Sequence, residues 1–207
     1  MSGGDLTYGV DIGGTKVLGV AMTPAGGVVA EARLPTPHVA IDPDEPRRGM
    51  VGAEVADAVV EVVRTLERAW PGTPPPAGPA GPAGPAGPAA PPHDPAPTGA
   101  LAIGVGVPGM VDRRSGVLRF SPNLPGAVGA DMGGLLAERL PGATIRVDND
   151  ANCAAVAELR LGAARGADEA LVVTLGTGIG GGVVSGGRVL AGAFGFAGEV
   201  GHMVVDP

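Results

Sequence analysis

The sequence has 207 residues, yet only one cysteine, Cys153, and one lysine, Lys16. A lone cysteine cannot close an internal disulfide, so no disulfide framework exists and a cytoplasmic setting is expected. Aromatic side chains are scarce: one Trp, one Tyr and three Phe. The apolar residues are mostly Ala, Val and Leu, so any core is aliphatic. No apolar run reaches the ~20 residues of a membrane span. The opening Met1-Ser2-Gly3-Gly4-Asp5 lacks the charged and apolar parts of a signal peptide. Basic charge is short as well. A net charge of −7 argues against a nucleic-acid partner. No Lys/Arg cluster follows an apolar segment, which argues against a membrane surface. The bias to Ala, Gly, Pro and Arg reads as a coding bias of a GC-rich genome and carries no function.

The length suffices for one domain and part of another. Tyr8 to Ile12, Val17 to Met22 and Val28 to Leu34 read as three strands separated by Gly-rich turns, an antiparallel meander. Val51, Val55, Val59, Val62, Val63 and Leu66 recur at helical spacing, predicting a helix over 50–70 that Pro71-Gly72 ends. Residues 71–97 repeat Gly-Pro-Ala; the triplets are too few for a triple helix, and a disordered insertion is expected. Ala100 to Val107 is a continuous apolar strand suited to the centre of a covered sheet. A helix over 130–140, a strand from Ile145 to Val147 and a helix from Asn152 to Leu161 follow. A strand from Leu171 to Leu175 and a hairpin about Ser185-Gly186-Gly187 complete the series.

Four constellations bear chemistry. Asp11-Ile12-Gly13-Gly14-Thr15-Lys16 lies at a strand–strand turn. Glycine allows phosphate oxygens close to backbone amides and permits positive φ. Thr15 adds a hydroxyl, Lys16 a cation, and Asp11 a carboxylate suited to hydrated Mg²⁺. The plain alternative is a Gly-rich hairpin with a solvated Asp. Leu175 to Gly182 is a second Gly-rich turn, containing Gly176, Thr177, Gly178 and Gly180. It contains GxGxxG, as does Gly104 to Gly109, but neither opens a helix, so a dinucleotide-binding βαβ unit is excluded. Two such turns, each starting a strand repeat, suit a nucleotide cleft between duplicated lobes. Asp148-Asn149-Asp150-Ala151-Asn152 joins a strand to a helix. It either supplies a carboxylate to accept a hydroxyl proton, with Asp150 in that role, or merely caps the helix. Gly198-Glu199-Val200-Gly201-His202 places a Glu and a His three apart, either to grip hydroxyls, to bind metal or to serve structure. Cys153 reads as a core residue on a helix face.

Six ordered blocks resemble the ROK family of sugar kinases and repressors, and within it the kinases acting on glucose. They are Asp11 to Lys16, Gly106-Val107-Pro108-Gly109, Asn123-Leu124-Pro125-Gly126, Asp148 to Asn152, Leu175 to Gly182, and Glu199 to His202. The resemblance runs from Tyr8 onward except in the Pro-rich insertion. It implies an α/β, actin-like ATPase (ribonuclease H-like) fold. Residues 1–168 would form a first lobe and 169–207 the start of a second. It implies transfer of the ATP γ-phosphate to the 6-hydroxyl of glucose or a related hexose. Asp150 would be the base; Asn149, Glu199 and His202 would touch the sugar, with Asn123 beside them. Asp11, Gly13, Gly14, Thr15, Lys16 and the turn of Gly176, Thr177, Gly178 and Gly180 would hold ATP and Mg²⁺. His202 is similar to the family's one histidine ligand of a structural Zn²⁺. A homodimer is expected of the complete protein.

The sequence departs from the family in two ways. The CxCGxxGCxE cluster that supplies the zinc cysteines is absent, and Ala127 stands where an aromatic is common. A carboxyl-terminal truncation is therefore expected, with little kinase activity in this chain alone. The competing expectations are a sugar-responsive ROK transcriptional regulator, which the early first strand and acidic charge disfavour, and an inactive fragment.

Overall fold

The computed structural model describes residues 6–37, 50–70 and 101–204. The insertion expected over 71–97 lies outside the described residues. Strands β1 (Thr7–Ile12), β2 (Lys16–Met22) and β3 (Val28–Pro35) form the antiparallel meander read from the sequence. Helix α1 (Met50–Ala69) follows. Strands β4 (Ala102–Val107) and, later, β7 (Thr144–Asn149) then add in parallel, giving a five-stranded sheet in the order β3-β2-β1-β4-β7.

Side-chain alternation decides what covers each face. Tyr8, Val10 and Ile12 of β1 and Ile103, Val105 and Val107 of β4 point one way, into one aliphatic core. Val55, Val59, Val62, Val63 and Leu66 of α1 and Leu136 of helix α2 (Met132–Arg139) meet them there. A Cβ at Gly19 of β2 would overlap Val62 Cγ1, so the glycine lets α1 lie close on the sheet. Asp131 caps α2, its Oδ1 accepting the Gly134 amide at 2.8 Å. None of the described helices is long and apolar enough to cross a membrane.

The opposite face is covered by helix α3 (Asp150–Leu161). Here β4 carries Gly104 and Gly106 between its valines, and a Cβ at Gly106 would stand 3.5 Å from Asp150 Cα and 3.6 Å from Cys153 Sγ. The far side of α3 carries a second sheet, β10-β9-β8, built from β8 (Ala170–Leu175), β9 (Ile179–Ser185) and β10 (Arg188–Val189). β9 meets α3 through glycine: a Cβ at Gly180 would lie 3.0 Å from Ala151 Cβ, and one at Gly182 3.1 Å from the Ala151 carbonyl. Small residues on both sides thus hold α3 tightly between two sheets.

The sequence reading passed over one element. The Asp112–Gly116 turn closes a hairpin of β5 (Met110–Asp112) and β6 (Val117–Phe120). Strand β7 extends at both ends of the expected Ile145–Val147, and α3 begins two residues earlier than expected. The hairpin expected about Ser185-Gly186-Gly187 forms between β10 and the end of a β9 that starts at Ile179.

Candidate active site

The junction of β7 and α3 separates the two roles left open for Asp148, Asn149 and Asp150. Asn149 is the cap: its Oδ1 accepts the Asn152 amide at 3.0 Å. Its Nδ2 donates to the Gly109 carbonyl at 2.9 Å. Asp148 is a strut. Its Oδ1 accepts the Asn149 amide at 2.8 Å and Asn152 Nδ2 at 3.1 Å, while its Oδ2 pairs with Arg113 Nε at 2.9 Å. Asp150 has no capping duty toward the next turn; its Oδ1 accepts only its neighbour, the Ala151 amide, at 2.8 Å.

Asp150 is half-buried, and burial raises its pKa above the ordinary carboxylate value. The charges of Asp11 and Glu199 push the same way, against the lowering effect of the Ala151 amide. Asp11 sits across Gly106, whose Cβ would lie 3.6 Å from Asp11 Oδ1. Asp11 keeps access to solvent, yet crowding on its sheet side raises its pKa and Lys16 pulls it back. The Cys153 thiol is pushed up to about 12, first by burial and then by the charges of Asp148, Asp150 and Asp11. It therefore stays protonated at neutral pH and is no nucleophile.

A cleft of about 520 Å³ opens in front of Asp150. It gathers Gly13, Gly14, Asn123, Asn149, Asp150, Gly176, Thr177, Gly178, Gly180, Glu199 and His202, eleven of the residues singled out in the sequence. Asp11, Thr15 and Lys16 do not line it. Thr15 and Lys16 instead support the first turn, where the Gly13 amide donates to the Lys16 carbonyl at 2.8 Å and the Thr36 amide to Thr15 at 3.0 Å. Buried Thr36 also donates from Oγ1 to the Gly13 carbonyl at 2.7 Å. Pro108 lay in one of the six blocks, whereas sequence reasoning missed Met110, Phe120, Pro122 and Thr174 on the cleft wall. Nothing in their immediate pattern marks them, because strand register brings them there.

The dihedral angles of the two turns do not call for glycine. None of Gly13, Gly14, Gly176, Gly178 or Gly180 has positive φ. A Cβ at Gly14 would stand 3.6 Å from Asn123 Cβ, so this turn rests against Asn123. At Gly176 and Gly178 a Cβ would meet nothing within 4 Å, leaving an open, Cβ-free cradle facing the cleft. Such a surface fits phosphate oxygens seeking backbone amides.

The zinc expected at His202 is another matter. His202 is exposed, with Nε2 3.9 Å from Glu199 Oε2. Among the described residues no three His, Cys, Asp or Glu side chains converge to hold a metal ion. A site of one His and three Cys does not fit a chain with a single cysteine.

A model of the ROK family matches residues 93–207. A glucokinase from Thermotoga maritima is 46% identical over 105 residues, covering 51% of this chain and 33% of that protein. A glucokinase from Halalkalibacterium halodurans is 32% identical over 201 residues, covering 96% of this chain and 50% of that protein. A putative xylose repressor from Caldicellulosiruptor is 42% identical over 112 residues, 54% of this chain and 28% of that protein. The crystal structure of a ROK family glucokinase from Streptomyces griseus, in complex with glucose and AMPPNP, is 31% identical. It superposes with a TM-score of 0.71 over 98% of this chain and 51% of its own. The fold is that of the actin-like ATPases, as in the ROK sugar kinases. The chain belongs to the ROK family. It spans half or less of the length of these curated relatives.

Proposed function

We propose that the chain is the base-bearing part of an ATP-dependent hexose kinase that phosphorylates glucose at its 6-hydroxyl. One observation carries the reading: Asp150, uncommitted to capping and raised in pKa, faces a cleft bounded by two Gly-rich turns. Residues 1–168 then form the first lobe and 169–207 the start of the second, with the cleft between them.

In this reading Asn123, Asn149, Glu199 and His202 orient the sugar through its hydroxyls. Asn149 is held by its bonds to Asn152 and Gly109, so it presents a fixed edge. The Gly13–Gly14 turn and the Gly176–Gly180 turn receive the ATP phosphates. Mg²⁺ bound with ATP supplies neutralisation of phosphate charge, and Asp11 is the carboxylate that would hold it. Asp150 accepts the proton of the 6-hydroxyl as O6 bonds to the γ-phosphorus; the bond from that phosphorus to the β,γ-bridging oxygen breaks and ADP leaves. A raised pKa makes Asp150 a better proton acceptor than an ordinary solvated carboxylate.

The match to a putative xylose repressor supports a second reading, a sugar-responsive regulator. A coupled dehydrogenase assay on a version extended to the length of the glucokinase relatives decides between them. Glucose 6-phosphate formed only while Asp150 is present supports the kinase. Glucose binding without any phosphate transfer would replace it with the regulator.

A further inference from the structure

Phe120 is 45% exposed although it is one of only five aromatic residues in the chain. It shares a strand face with Leu118, which is buried, and lies on the wall of the cleft together with Met110, Pro108 and Pro122. Its place is set by close backbone contact. Gly109 has φ +116°, and a Cβ there would overlap the Phe120 carbonyl and stand 2.9 Å from Ser121 Cα. The same Gly109 carbonyl accepts the Asn149 side chain at 2.9 Å. The Phe120 backbone is therefore tied, through Gly109, to Asn149, the residue before Asp150.

A pyranose has two kinds of surface. Its hydroxyls lie around the rim, and its axial C–H groups make an apolar patch on a face. Asn149, Asp150, Glu199 and His202 answer the hydroxyls, while an accessible aromatic face beside them answers the C–H patch.

We propose that Phe120 is the stacking platform for the hexose ring and a specificity-determining residue of the sugar site. The inference rests on the sugar-site reading above. The platform selects a cyclic hexose with a continuous C–H face over acyclic polyols of the same hydroxyl content, because only the ring offers a flat partner.

The test is calorimetric titration of the 207-residue chain with glucose and with sorbitol, for wild type, Phe120→Ala, Phe120→Leu and Phe120→Tyr. Glucose affinity is expected to fall about tenfold or more in the Ala and Leu variants and to stay within about twofold in Tyr. Saturation-transfer NMR, with irradiation of aromatic protons, gives an independent readout. Transfer to the glucose C–H protons is expected in wild type and is lost in Phe120→Ala. Glucose binding by wild type that Phe120→Ala leaves unchanged, or that Phe120→Leu fully restores, overturns the platform alone. Equal binding of sorbitol does the same. No heat from wild type with glucose, mannose or galactose at millimolar concentration overturns the sugar site and the platform together.

Discussion

Asn149 spends both ends of its side-chain amide on the protein: Oδ1 accepts the Asn152 amide at 3.0 Å and Nδ2 donates to the Gly109 carbonyl at 2.9 Å. The residue that caps α3 is therefore also the tie between that helix and the turn into β5. Because Asn149 caps, Asp150 is left without a capping bond to the next turn of α3.

That tie depends on Gly109. Its φ of +116° disfavours any L side chain, and a Cβ there would run into the Phe120 backbone. Gly109→Ala is expected to cost about 2–4 kcal/mol, combining backbone strain with a steric clash. Gly129 offers the control: φ is +92°, but a Cβ would meet nothing within 4 Å. Gly129→Ala should cost only about 1–2 kcal/mol from conformation alone. Urea unfolding of the two variants checks the order; equal losses would remove the clash from the account.

Asp150→Asn separates transfer from binding. The amide keeps the shape and still accepts the Ala151 amide, but it takes no proton. In a version extended to the length of the relatives, turnover should fall about 10²–10⁴-fold, the ordinary contribution of a general base. Glucose affinity should change by less than about threefold, since this group is asked to do its work in the transition state. A variant retaining near-wild-type kcat would remove Asp150 from the role of base.

The Gly176–Gly178 cradle is open, and neither residue has positive φ. Gly176→Ala thus needs no strained backbone and meets no neighbour, so melting should shift by less than the equivalent of about 1 kcal/mol. The added methyl instead occupies space where the phosphates would lie. A fluorescent ATP analogue titrated into the extended version should bind at least about tenfold more weakly, corresponding to about 1.4 kcal/mol. Unchanged affinity would place the phosphates elsewhere.

Much of this architecture is legible from the residues alone. The meander follows from three apolar runs punctuated by Gly, and α1 from valines at helical spacing. β4 could be read as a covered strand because Ala100 to Val107 is a continuous apolar run, and the structure adds that its glycines admit a helix on one face. The β5–β6 hairpin escaped because its strands have three and four residues, too few for a period to emerge. Phe120 escaped with it. The division of labour among Asp148, Asn149 and Asp150 was also invisible, since Asp and Asn cap helices about equally well. Only the distances assign cap, strut and free carboxylate. At Gly13 and Gly14 the sequence offered two reasons for glycine, positive φ and close approach of phosphate, and the backbone does not use the first.

The Asp150 carboxylate also sets a pH dependence of stability. Two influences oppose each other. The start of α3 and the Ala151 amide favour the charge, while burial, Asp11 and Glu199 disfavour it, and the second group wins because the pKa is raised. A carboxyl whose folded-state pKa exceeds its unfolded value binds its proton more tightly when folded. Its contribution to stability is complete below the ordinary value of 3.8 and is lost as pH rises through the raised one. Above the raised pKa the wild type therefore carries a charge that the fold disfavours, and Asp150→Asn removes it. The variant is expected to melt above wild type at pH 7, with the gap narrowing as pH falls through the raised value toward 3.8. Thermal melts in a matched buffer series measure this. A variant that melts below wild type at pH 7 would mean that the helix terminus, not burial and the neighbouring acids, governs the Asp150 charge.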